Sequence, residues 1–326
     1  MPYRKEFVCD TIRQEVVRSV LERIQRIQST NIKKRTADSH SGDTGSERSP
    51  AYQVEEILNN PYMNHSEIPL AMDIFKPVVP KGQELPVIVV IHGGCLVFGD
   101  RKISRCFGKA LAERGYLVFS IEYRPAPRAN TAEQLDDICA GMDLVGRRLP
   151  DFDVDFTRMF LAAESAGAFL AIYVAAMKKS KKLQKAIGYE PSRMTFRAAG
   201  LISGMFYTHR KDPIGLILSE QFYGRKGTKK SFLKYMDPEH PEIVDNLPPV
   251  FLITSRGDFL NNYTLMFHDV LKKAGRTSRL VYYGEMSLKH AFVVSDPYSK
   301  QGVDALDRMT AWFEEQADAQ RSGWQF

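Results

Sequence analysis

Ser165 stands in the stretch LAAESAGAFL (161–170), between an apolar run and an alanine-rich segment of helical character. A serine hydroxyl is a weak nucleophile at neutral pH. Attack on a carbonyl needs an imidazole to take its proton and a carboxylate to fix that imidazole. It also needs amides aimed at the oxygen on which charge develops. A tight strand-to-helix turn at Ser165 would expose the hydroxyl and turn the Ala166 amide toward the same point, with the helix N-terminus adding favourable potential. Such a turn accepts only small neighbours. Ala163 and Gly167 qualify, although the G-x-S-x-G form is broken at its first position. Alone, the pentapeptide is a weak signal, since an ordinary serine at an alanine-rich helix start would match it as well.

Other segments supply the missing groups. The apolar run VIVVIHGGCLVFGD (87–100) continues into His92-Gly93-Gly94, where the absence of Cβ atoms lets backbone amides approach a ligand. Gly93 and Gly94 can thus serve as oxyanion donors; a plain glycine turn is the other reading. VFLITSRGDFLNN (250–262) carries Asp258 just beyond an apolar run, and YYGEMSLKHAFVV (282–294) carries His290. The chain order Ser, Asp, His is that of α/β-hydrolases.

These residues must be brought together by the elements between them. Short β-branched runs, LAMDIF (70–75), LPVIVVI (85–91), YLVFSIEY (116–123), RMFLAAES (158–165), FRAAGLISG (196–204), PVFLITSRGD (249–258) and SRLVYYGE (278–285), alternate with helical stretches near 102–113, 132–148, 166–178, 261–274 and 302–318. This rhythm predicts right-handed crossovers and a mainly parallel twisted sheet flanked by helices. Ligands gather beyond the carboxyl ends of such strands. His92–Cys95, Glu164–Gly167, Arg256–Asp258 and Lys289–Phe292 should therefore meet on one rim. Residues 205–245 break the rhythm and are expected to form a cap insertion over it. Upstream, Val16, Val20, Ile24 and Ile27 sit at helical spacing in 11–28, and the polar stretch 33–50 reads as a mobile connection. The expected organisation is 1–50 as helix and connection, a lid or a dimer contact, and 51–326 as the catalytic domain.

Together the segments resemble the hormone-sensitive-lipase-like esterases of the α/β-hydrolase superfamily, over about 68–318. HGGC stands where that family has His-Gly-Gly-Gly, and AESAGA where it has Gly-Asp-Ser-Ala-Gly-Gly. EYRPAPRANTAEQLDD (122–137) is similar to its Asp-Tyr-Arg-Leu-Ala-Pro segment, and GDFL and KHAF to its Asp-Pro-Leu and His-Gly-Phe segments. The resemblance implies an α/β-hydrolase fold with a helical cap. It implies Ser165 as nucleophile, His290 as general base and acid, Asp258 as its orienting carboxylate, and amides of Gly93, Gly94 and Ala166 as oxyanion donors. His40, His65, His209, His240 and His268 show no ligand spacing, so no metal is expected, and no cofactor is expected either. His92, Tyr123 and Arg124 are expected to support the site, and Asp136 and Asp137 to cap or pair. Cys95, Ala163, Ala168, Phe259 and Ala291 depart from the family pattern without removing a reacting group. Cys95, Leu96, Val97, Phe98, Glu164, Phe206, Tyr207 and Phe222 are expected to line the substrate pocket, joined by Ile214, Leu216 and Tyr223.

Composition narrows the alternatives. With 326 residues and 44% hydrophobic content the chain can bury a large core, and no apolar run approaches the length of a membrane span. The first residues lack the apolar core of a secretion signal, and the 4 cysteines show neither zinc spacing nor a C-x-x-C pair. A cytoplasmic protein with reduced thiols is expected. The net charge of +6 is scattered over short basic runs without interleaved aromatics, so no nucleic-acid partner is expected. The expected partner is a small-molecule ester, with a homodimer possible. An amidase or arylformamidase using the same groups, and a non-catalytic small-ligand binder of the same fold, remain the alternatives.

Overall fold

The computed structural model describes residues 50–64, 69–189, 194–210 and 230–322. The expected N-terminal helix, the polar connection, and Ile214, Leu216, Phe222 and Tyr223 of the insertion lie outside them.

One 8-stranded sheet runs through the molecule in the order β1-β2-β4-β3-β5-β6-β7-β8. Its strands are β1 Val54–Asn64, β2 Pro69–Pro77, β3 Leu85–Ile91, β4 Leu117–Ile121, β5 Val154–Glu164, β6 Ala198–Ile202, β7 Val250–Ser255 and β8 Ser278–Tyr283. β1 and β2 pair antiparallel, as do β2 and β4, and the others are parallel. The helices are α1 Arg105–Ala112, α2 Thr131–Arg148, α3 Ala166–Met177, α4 Lys181–Ile187, α5 Lys230–Leu233, α6 Pro241–Val244, α7 Asn261–Lys273, α8 Phe292–Ser295 and α9 Lys300–Ser322. No described helix is long and apolar enough to cross a membrane.

β3 shows why the parallel strands read as unbroken apolar runs. All of Leu85–Ile91 is buried. Val87, Val89 and Ile91 enter the core that also holds α3, while Ile88 and Val90 enter the opposite core with Leu111, Met309 and Phe313. Side chains alternate between faces, and helices cover both, so neither face needs polar residues.

β1 has no such signature. It is an edge strand whose pairing with β2 slips between Ile57 and Asn60 and again between Pro61 and Met63, with Asn59 at φ 60°. What holds it is partly a buried charge network. Arg101 donates from Nε to Asp73 Oδ1 at 2.9 Å, from Nη2 to Asn59 Oδ1 at 2.5 Å, and from Nη1 to Glu122. Arg105 Nε reaches Asp73 Oδ2 at 2.8 Å, and the Asn59 amide donates to Asp73 Oδ1 at 2.8 Å. Burial pushes the Asp73 pKa up, but the bonds from Arg105, the Asn59 amide and Arg101 outweigh it and hold the carboxyl below its ordinary value.

A carboxyl whose folded pKa is depressed stabilises the fold above its unfolded pKa, about 4 for Asp, and loses that contribution as pH falls through the folded value. Asp73→Asn leaves two guanidinium partners short of an anion and is expected to cost about 3–5 kcal/mol at pH 7. The gap to wild type should narrow toward pH 3. Denaturant unfolding at the two pH values measures it; an equal gap at both would contradict the assignment.

Candidate active site

β5 ends at Glu164, and the chain turns into α3 through Ser165, which adopts φ 54° and ψ −119°. Positive φ in a residue with a Cβ costs of order 1–3 kcal/mol and persists only where the surroundings fix it. Here the Ser165 N–H donates to Ile202 O at 2.9 Å, and the Ser165 carbonyl accepts from Met205 N at 3.0 Å. Gly167 makes the sharp turn possible. A Cβ there would lie 2.3 Å from Ile91 O and 2.4 Å from His92 O, so α3 starts flush against the end of β3.

Asp258 lies just past β7, held by its own neighbours. Oδ1 accepts from Leu260 N at 2.9 Å and Oδ2 from Thr254 Oγ1 at 2.8 Å. The loops carrying Asp258 and His290 are pressed together. Gly257 and Lys289 form a β-bridge, Ser255 Oγ donates to Leu288 O at 2.7 Å, and a Cβ on Gly257 would sit 2.3 Å from Met286 O.

The imidazole of His290 spans the two sites, with Nδ1 2.7 Å from Asp258 Oδ1 and Nε2 2.9 Å from Ser165 Oγ. Burial pushes the Asp258 pKa up, but hydrogen bonding and charge from His290, the Leu260 amide and the Ser203 hydroxyl hold it below the ordinary Asp value. An ionised carboxylate only accepts, so Nδ1 carries the ring proton. In the neutral ring Nε2 is then the acceptor facing the Ser165 hydroxyl.

The loop after β3 is tied to Glu164, the residue before Ser165. Gly93, expected as an oxyanion donor, gives its N–H to Glu164 Oε1 at 2.8 Å. The carboxylate is packed so close that a Cβ on Gly93 would lie 2.5 Å from either oxygen. Among the described residues, the amides of Gly94, Cys95 and Ala166 donate to no protein acceptor. Gly94, Cys95 and Leu96 all have positive φ, at 117°, 51° and 64°, which curls the loop.

A family model described as the alpha/beta hydrolase fold matches residues 88–294. The chain belongs to the α/β-hydrolase superfamily, in its hormone-sensitive-lipase-like branch. Among curated proteins this hydrolase is 25% identical, over 72% of its length, to the isoprenylcysteine alpha-carbonyl methylesterase of Arabidopsis thaliana, and 25% identical over 65% of its length to a probable counterpart from Oryza sativa subsp. japonica. The aligned parts cover 57% and 53% of those proteins, so the chain spans about half the length of the curated relatives it matches. Among solved structures it is similar to esterase B of Lactobacillus rhamnosis inhibited by a tributyrin phosphonate, with a TM-score of 0.82 at 21% identity, covering 95% of this chain and 98% of the other. A hyperthermophilic esterase from Pyrobaculum calidifontis gives a TM-score of 0.65 at 20% identity, over 95% and 98% of the two chains.

The supporting residues of this hydrolase fall mostly where the sequence suggests. His92 is buried, with its ring stacked on Tyr123 at 4.3 Å. Its Nδ1 lies 2.7 Å from Gly93 O, which only accepts, so Nδ1 is the protonated nitrogen. Burial lowers its pKa to about 4, and it stays neutral at neutral pH. Tyr123 donates to His92 O and Gly93 O. Arg124 clamps Asp137 through Nε at 2.8 Å and Nη2 at 2.7 Å. Capping is a different matter: α2 is capped by Asn130 in a capping box with Glu133, nearly two turns ahead of Asp136 and Asp137.

The expected pocket residues divide. Cys95 and Val97 are half-buried at the loop, and Phe98 is buried. Leu96, Phe206 and Tyr207 belong to the core, Phe206 stacked on Phe267 at 4.3 Å and Tyr207 edge-on to Tyr263 at 5.3 Å. Burial, with the neighbouring Glu164 charge, pushes the Cys95 thiol up to about 12, which keeps it protonated and inert. Ser203 and Thr254 escaped sequence reasoning. Ser203, at φ 52° just past β6, accepts from the Ala291 amide at 3.1 Å, and its hydroxyl helps to hold the Asp258 pKa down. Its position after a strand on the same rim was the available signal.

Proposed function

We propose that this hydrolase is a carboxylesterase that cleaves small or medium carboxylic esters through an acyl-enzyme on Ser165. The observation that carries the reading is the unbroken hydrogen-bonded chain Ser165, His290, Asp258, at 2.9 and 2.7 Å. As Ser165 Oγ forms its bond to the carbonyl carbon, His290 Nε2 takes the hydroxyl proton, and Asp258 stabilises the imidazolium. Collapse of the tetrahedral intermediate breaks the C–O bond, and Nε2 gives its proton to the departing alkoxide. Water, deprotonated by the same nitrogen, then releases the acid. The names of the relatives, methylesterases and esterases, agree with ester cleavage.

For the oxyanion we assign the amides of Gly94, Cys95 and Ala166. Gly93 is set aside because its N–H is committed to Glu164. In this reading Glu164 is a positioning residue that anchors the loop. Glu164→Ala is expected to lower kcat about 10²-fold, the size of effect seen when one oxyanion donor is lost, with a smaller change in KM. Glu164→Gln, which keeps an acceptor for Gly93, should recover most of it. Steady-state kinetics of both variants test this, and an alanine variant with near-wild-type kcat would contradict it.

The reading itself is tested with p-nitrophenyl esters of rising acyl length beside a matched anilide. Turnover of the short esters with little anilide cleavage is expected. Faster anilide cleavage would favour an amidase, and no turnover of either would favour a binding protein.

A further inference from the structure

An aromatic side chain stands at the site with no role in the chemistry above. Phe259 follows Asp258 directly and is 58% exposed, yet its ring centroid lies 4.5 Å from that of His290, tilted by 41°. Its backbone is firmly held: Leu260 N bonds the Asp258 carboxylate, and Asn261 bonds Asp258 O through Nδ2 at 2.6 Å and through its own amide at 3.1 Å. A second apolar side chain, Met286, is 55% exposed on the adjoining loop, which Gly257 presses against the Asp258 loop. Large apolar side chains left open beside a reacting group form a surface for apolar ligand.

Both nitrogens of the imidazole are occupied, Nδ1 by Asp258 and Nε2 by Ser165. Phe259 therefore meets His290 through the ring. In the second half of acylation, Nε2 must sit within hydrogen-bond reach, about 3 Å, of the departing alcohol oxygen. A substituent on that oxygen can then come within van der Waals reach of a phenyl ring centred 4.5 Å from the imidazole. The acyl chain, attached to the carbon held at Ser165 Oγ, does not have to pass this ring.

Resting on the carboxylesterase reading, we propose that Phe259 is the wall of the leaving-group side and selects esters of aryl or other bulky apolar alcohols over methyl and ethyl esters. Aromatic pairing adds to plain area burial in offset or edge-on geometries that an open ring permits.

The test compares kcat/KM for 1-naphthyl acetate and methyl acetate in wild type, Phe259→Ala and Phe259→Leu. The alanine variant should lower the naphthyl-to-methyl ratio about tenfold, and leucine should restore part of it. With naphthyl as the fixed alcohol, lengthening the acyl group from acetate to hexanoate should leave the effect of Phe259→Ala unchanged. A ratio that does not move, or a loss that grows with acyl length, would overturn the proposal. Failure of the carboxylesterase reading looks different: wild type would hydrolyse neither ester.

Discussion

Ser165→Ala is expected to lower kcat/KM for a short-chain ester by about 10⁴–10⁶-fold while the protein stays folded. Removing the nucleophile of a hydrolase of this design leaves only the catalysis that oriented amides and binding provide. The fold should survive because the elbow is fixed by backbone. Ser165 N and O bond Ile202 and Met205, Gly167 packs on the end of β3, and alanine can take the place of serine at the same φ. The hydroxyl itself bonds His290 alone among the described residues. Hydrolysis assays beside thermal melts by circular dichroism measure both halves. A loss of less than tenfold, or an unfolded variant, would count against the assignment.

Asp258→Asn is expected to cost about 10³–10⁴-fold in kcat, with KM changed far less. The side chain keeps its volume, but its amide can present N–H to His290 Nδ1, which favours the tautomer protonated on Nε2. That nitrogen could no longer take a proton from Ser165. The native contacts of Asp258 with Leu260 N and Thr254 Oγ1 are suited to an ionised acceptor. Because its pKa is depressed in the fold, the native carboxylate also stabilises the protein above the ordinary Asp value, a contribution lost as pH falls through the folded value. The variant should therefore melt below wild type at pH 7, with a gap that shrinks on acidification. Single-turnover rates and melts report both effects, and a kcat within tenfold of wild type would contradict the tautomer argument.

Much of this architecture was readable from residue order. β3, β4, β6 and β7 announce themselves as apolar runs because helices bury both of their faces, whereas β8, at the edge of the sheet, is only half-buried and is legible by its alternation and its β-branched and aromatic residues. The expected helix near 166–178 is observed as Ala166–Met177, and that near 132–148 as Thr131–Arg148. β1 was missed because Asn59, Asn60 and Pro61 are poor strand formers, and what fixes them, the bulged pairing with β2 and the Asp73–Arg101 network, is supplied by the tertiary structure. The candidate site shows the same division. Ser165 and Asp258 were readable as side-chain types at strand ends, and His290 as one in the loop beyond the last strand. The direction of an amide was not, since the bond from Gly93 to Glu164 joins residues 71 positions apart. Phe206 and Tyr207 were expected at the pocket because they are aromatic residues in an irregular segment, and they instead fill the core against Phe267 and Tyr263.

The most direct test of the account is the site of covalent modification by a fluorophosphonate ester. Incubation with the wild-type protein, followed by proteolysis and mass spectrometry, should yield one phosphonylated peptide with the adduct on Ser165, and none in Ser165→Ala. An unlabelled wild-type protein, or an adduct carried by another side chain such as Cys95, would contradict it.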